Sequence, residues 1–112
     1  MLEPNSFLLV LCNVPDKATA ETLAEALVTS KLAACVNILP PATSIYRWQG
    51  KIEQAEEIPL LIKTTAARYA DLEAAIDAIH PYEVPEVIAV PFAAALPAYL
   101  GWLSAETGGL SA

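Results

Sequence analysis

Apart from Asn13, apolar residues run without interruption through "FLLVLCNV", Phe7 to Val14, between turn-forming neighbours. A continuous apolar run of this length reads as a strand buried on both faces, central in a sheet. The period then changes. Ala20, Leu23, Ala24, Leu27 and Val28 recur at helical spacing with Glu21 and Glu25 outside, which predicts an amphipathic helix from Thr19. Asp16 or Thr19 is placed to cap it. "AACVNIL" is the next strand, and "PPATS" interrupts it, because proline has no N–H to give a sheet ladder. "SIYRWQGKIEQ" follows, with a tight reversal at Gln49 and Gly50, where the glycine accepts a positive φ. The return arm runs through "KIEQAEEIPLLIKTT".

Thr65 is placed to cap a second helix. Tyr69, Leu72, Ile76 and Ile79 form one stripe along it. Pro81 ends it, since the residue before a proline is pushed out of the α region, and His80 therefore sits at its C-terminus. "EVIAVPF" is the last strand. "LPAYLGWLSAE" fits a short helix with Pro97 tolerated in its first turn. "TGGLSA" reads as a loose tail. The order is α+β, βαββαβ plus a short C-terminal helix. It predicts a ferredoxin-like antiparallel sheet with both helices on one face. One domain is expected over residues 1–106, with a flexible tail over 107–112. In that topology a strand separates Cys12 from Cys35 by roughly 9–10 Å, too far for a disulfide.

The hairpin is long for such a chain. Each arm of about 15 residues spans about 50 Å if straight, against a domain diameter of roughly 30–35 Å. The hairpin must bend or project. Its tip carries Ile45, Tyr46, Trp48 and Ile52, which a lone ribbon leaves in water. Composition points the same way: 55% of the 112 residues are hydrophobic, high for a small monomer with much surface for its volume. Pairing with another subunit resolves both.

Charge narrows the partners. Six basic residues stand against thirteen acidic ones, a net charge of −7. The basic residues are scattered, which argues against a nucleic-acid groove and against anionic membrane surfaces. The uncharged stretch from Val87 to Leu103 contains Pro91, Pro97 and Gly101 and is shorter than the roughly 20 residues a span needs. The N-terminal apolar run has Glu3 and Pro4 ahead of it where a signal peptide needs positive charge. The expectation is a cytoplasmic protein with free thiols.

Candidate chemistry concentrates in "AIHPYEVPEVIAVP". His80 is the only histidine. It fits a soft-metal ligand or a general base, and it also fits a helix C-terminal residue beside the dipole. Cys12 fits a thiolate ligand for copper(I) and also a small hydrophobe in a central strand. Glu86 fits a ligand beside His80, an ion-pair partner, or a cap on exposed backbone. Tyr46, Trp48, Tyr82 and Trp102 fit a small-molecule pocket or interface packing. The chain has no phosphate-binding glycine loop, CxxC pair or nucleophile elbow, and no enzymatic activity is expected.

Taken in order, "LCNVPDKATAETLAEAL", "LAACVNILPPATSIYRWQGKIEQAEEIPLLIKTT", "HPYEVPEVIAVP" and "YLGWL" resemble the CutA family of divalent-cation tolerance proteins, from about Phe7 to Ser104. The resemblance implies a ferredoxin-like protomer in a tight homotrimer whose hairpins wrap around neighbours. It implies no required cofactor, but copper or another divalent cation as ligand, with Cys12, His80 and Glu86 as the matching metal residues. Some members carry a second histidine just before "HPY", where this chain has Ile79. The implied function is tolerance of divalent metal ions through copper binding. Two alternatives stand beside it. One is a small-molecule sensor resembling the trimeric nitrogen-signalling PII proteins. The other is an interaction scaffold without a ligand.

Overall fold

Alternation along the first strand, β1 (Phe7–Val14), sets the two sides of the sheet. Leu8, Val10, Cys12 and Val14 are buried, while Phe7, Leu9, Leu11 and Asn13 are only half-buried. The structure, a computed structural model, describes residues 6–108. Within it β1 is central, as expected, yet one face alone is fully covered. The reason is that α1 (Lys17–Thr29) and α2 (Ala66–Ile79) lie on the same side. Leu23 and Leu27 from the first helix and Leu72 and Ile76 from the second pack in one cluster with Leu8, Val10, Val14, Leu60 and Ile62.

Asp16 caps α1, accepting from the Thr19 amide at 2.8 Å. The helix consequently begins at Lys17, two residues before the expected start. α2 follows Thr65, which serves as N-cap without a side-chain hydrogen bond. Its apolar stripe is shorter than the sequence suggests. Leu72 and Ile76 are buried and Tyr69 is half-buried, but Ile79 is 38% exposed, because the chain leaves the sheet at Pro81.

The outgoing arm of the hairpin breaks at Pro40 and Pro41 into β2 (Cys35–Ile38) and β3 (Ala42–Trp48). The return arm, β4 (Lys51–Thr65), is continuous. It pairs with β1, β2 and β3, all antiparallel. With β5 (Ile88–Pro91) on the far side of β1, the order is β2-β4-β1-β5, and β3 extends the ribbon from β4. This is the ferredoxin-like order expected. β4 separates Cys12 from Cys35, and both thiols are free. At the ribbon tip Gln49 and Gly50 take φ of 50° and 80°, the mirror-image turn whose twist matches a two-residue hairpin.

The ribbon projects. The principal extents are 48 × 28 × 23 Å, and the tip residues Ile45 (69%), Ile52 (64%), Tyr46 (44%) and Trp48 (40%) are exposed. The sheet face opposite the helices is also apolar. Leu9 pairs with Val90, and Leu11 stands between Leu61 and Ile88.

α3 (Pro97–Glu106) starts on Pro97 and lies against β4. Its end is anchored. Thr107 is buried, its hydroxyl donates to the Leu103 carbonyl at 2.9 Å, and its own carbonyl accepts from Arg68 Nε at 2.7 Å. The rest of the expected tail, 109–112, lies outside the described residues.

Candidate functional site

The end of α2 builds one wall of a cleft. Pro81 stops the helix, and His80 takes φ −64° and ψ 133°, out of the helical region, while its amide still reaches the Ile76 carbonyl. That turn aims the imidazole inward, and the residue is 6% exposed. Nε2 lies 2.6 Å from the Asn13 carbonyl oxygen. The Tyr82 amide donates to Nδ1 at 3.2 Å. A carbonyl only accepts, so Nε2 carries the proton and Nδ1 is the acceptor, a neutral ring with both nitrogens engaged. The Tyr82 ring packs on the imidazole, centroids 4.6 Å apart.

Asn13 joins two parts of the elbow. Its carbonyl holds His80, and its side-chain amide donates to Glu86 Oε1 at 3.5 Å. Glu86 is exposed. Cys12, the neighbour of Asn13 on β1, points to the opposite, buried side of the sheet and is 1% exposed. Burial pushes its thiol up to about 12, and the negative charges of Glu86 and Glu57 push the same way. A thiol held protonated ligates only after a cation displaces the proton.

The opposite wall comes from the ribbon, from its tip at Trp48 down to Glu57 on β4. Tyr46, Trp48 and Tyr82 line a cleft of about 760 Å³ together with Glu57, Glu83 and Glu86. Among the described residues no basic side chain lines it. Glu57 is 7% exposed, and its Oε2 accepts from the Tyr82 hydroxyl at 2.9 Å. Burial, then this bond to Glu57, pushes the Tyr82 phenol up to about 12, so Tyr82 remains a donor at neutral pH. Trp102, the fourth aromatic singled out from the sequence, packs on Tyr99 instead.

The three predicted metal residues therefore differ in access. Glu86 opens onto the cleft, His80 stands behind it with both ring nitrogens bonded, and Cys12 is in the core. Among the described residues no three His, Cys, Asp or Glu side chains are grouped to hold a metal ion. Sequence reasoning missed Asn13 and Glu57. Glu57 sits at the point where alternation along β4 fails, with Glu57 and Ile58 buried in succession. The adjoining Pro59, which marks a bulge or edge, was the available signal.

Comparison with known proteins gives this geometry its relatives. The family model for the CutA1 divalent ion tolerance protein matches residues 8–106. The divalent-cation tolerance protein CutA of Thermus thermophilus is 50% identical over 99 residues, covering 88% of this chain and 96% of that protein. The crystal structure of CutA from Xylella fastidiosa superposes with a TM-score of 0.88 at 46% identity, covering 90% of this chain and 97% of that one. The periplasmic divalent cation tolerance protein CutA of Archaeoglobus fulgidus superposes with a TM-score of 0.88 at 34% identity, covering 90% and 98%. On fold and on sequence over most of its length, this chain belongs to the CutA1 divalent ion tolerance family.

Proposed function

We propose that the protein takes part in tolerance of divalent metal ions by binding a cation, copper or a similar ion, and not by catalysis. The observation that carries this is the cleft itself: Glu57, Glu83 and Glu86 line it without a basic side chain among the lining residues. Glu86 is the first contact, since it alone of Cys12, His80 and Glu86 is exposed. Carboxylates and water alone suit a hard cation. Copper needs softer donors, which here means His80 giving up a hydrogen bond and Cys12 a proton. Binding in the protomer is therefore weak and rises with pH. A catalytic role for His80 has no support, because neither ring nitrogen is free to exchange a proton with a substrate.

The working form is a homotrimer. Its support is the apolar surface that the protomer leaves open: the tip with Ile45 and Ile52, and the sheet face with Ile88 (49% exposed) and Val90 (41%). Removing such surface from water yields about 25 cal/mol per Å². A cytoplasmic location agrees with the two free thiols. Among the described residues no helix is long and apolar enough to cross a membrane.

The test is copper and zinc titration of the assembled protein beside Glu86→Ala, His80→Ala and Cys12→Ser. Loss of binding in Glu86→Ala supports the reading; identical binding in all four proteins removes the cleft from it.

A further inference from the structure

The aromatic wall is unexplained by a metal ion. A hydrated ion fills little of a cleft of about 760 Å³ and has no use for ring faces. Clefts of this size are those that enclose small molecules. Carboxylates beside the faces of tryptophan and tyrosine attract a particular kind of occupant: a positive charge carried on a C–H surface.

Glu57 sharpens the chemistry. It is more than nine-tenths buried and lines the cleft. One carboxylate oxygen accepts from Tyr82, while the other makes no hydrogen bond to the described residues and is open to water. An accessible oxygen on an otherwise buried carboxylate is a directed acceptor facing the cleft. An N–H group can donate to that acceptor, whereas a quaternary ammonium ion has no N–H to offer. Glu83 and Glu86 on the same cleft favour more than one positive charge.

We infer that this cleft is a binding site for an aliphatic di- or polyamine, with a primary or secondary ammonium group on Glu57 and the alkyl chain against Tyr46, Trp48 and Tyr82. The amine shares the cleft with the divalent cation proposed above but differs from it in chemistry. Tyr82 has a double part. Its ring forms the wall, and its hydroxyl fixes the Glu57 carboxylate from behind. Because the hydroxyl stays protonated, it donates to one oxygen and leaves the other for the amine. Ring faces and a buried carboxylate together discriminate against both small inorganic cations and uncharged alcohols.

Calorimetric titration of the assembled, full-length protein with spermidine tests this. Expected is saturable binding that Glu57→Gln weakens about tenfold or more, the scale of a charge-assisted hydrogen bond. The amide introduced by Glu57→Gln keeps an acceptor for Tyr82, and circular dichroism and sedimentation check that the variant folds and assembles. Should it fail to fold, Trp48→Ala provides the second variant and is also expected to weaken binding. Tetramethylammonium is expected to bind more weakly than spermidine. Absence of saturable spermidine binding overturns the inference. So does equal affinity in both variants and the wild type, or a structure of the assembly with a neighbour's lysine or arginine on Glu57. Copper and zinc titrations in the same buffer separate the two readings. Metal binding without spermidine binding sinks this inference alone, and spermidine binding without metal binding supports it while sinking the other.

Discussion

His80 donates through Nε2 to the backbone carbonyl of Asn13, 2.6 Å away and 67 residues earlier in the chain. That single bond ties the end of α2 to the central strand and positions the elbow against the sheet. The other ring nitrogen accepts from the Tyr82 amide. The only histidine of the chain is thus a structural strut between the helix and the strand that flank the cleft.

His80→Ala should therefore destabilise the fold by about 1–3 kcal/mol, the cost of leaving buried polar groups without partners. Two groups lose a partner, the Asn13 carbonyl and the Tyr82 amide. Urea unfolding followed by circular dichroism measures it. A midpoint equal to that of the wild type would show the strut carries no load. The same measurement guards the metal titration, because a His80 variant that binds less copper has to be shown still folded.

The alkaline limit of stability should be set in part by Cys12 and Tyr82. Each holds its proton more tightly folded than unfolded, from 9.0 up to about 12 for the thiol and from 10.0 up to about 12 for the phenol. The unfolded chain gives up these protons first. The stabilisation is complete below about pH 9 and disappears as the pH climbs through about 12. Urea midpoints should fall between about pH 8 and about pH 11, and fall less steeply in Cys12→Ala. Parallel slopes in the two proteins would show that the thiol contributes nothing to the fall.

Much of this was legible in the sequence. The strand order followed from the order of elements, because a βαββαβ succession reads as a ferredoxin-like sheet with the first strand beside the return arm of the hairpin. Pro81 fixed the elbow by backbone sterics alone. What stayed hidden had a common cause. Asn13 acts through its carbonyl, and every residue has one. Glu57 is buried where a polar residue breaks the alternation of β4, and a single sequence offers no signal of which carboxylate faces a cleft. Ile79 shows the converse: helical spacing assigned it to the core, but a stripe is buried only where the helix still has a sheet beneath it.

Gly50 makes the hairpin reversal possible. Its φ of 80° and the φ of 50° at Gln49 together form the turn between Trp48 and Lys51. An added Cβ at Gly50 meets no atom within 4 Å, so Gly50→Ala isolates the backbone effect. It should cost about 1 kcal/mol. Gln49→Asn, by contrast, should be neutral or mildly stabilising, since asparagine tolerates the left-handed region. Thermal unfolding of both variants is the check, and a Gly50→Ala protein as stable as the wild type would show that the tip relaxes freely.

The proposed assembly makes the sharpest demand on the surface. Ile52 is 64% exposed at the ribbon tip, outside the cleft, and Val90 is 41% exposed on the open sheet face next to Leu9. Neither side chain helps to hold the protomer together, so a charge at either leaves the fold intact. If the ribbon lies on a neighbour and the sheet face packs against one, Ile52→Glu and Val90→Lys each place a charge in a dry contact. Burying an unpaired charge costs several kcal/mol. Each variant should then shift the protein toward monomer by more than tenfold in dissociation constant, while far-UV circular dichroism stays unchanged. Sedimentation equilibrium at micromolar protein reads the outcome directly. A wild type that sediments as a monomer removes the trimer from the reading. A wild-type trimer left intact by Ile52→Glu but dissociated by Val90→Lys would assign assembly to the sheet faces and leave the ribbon tip free in solvent.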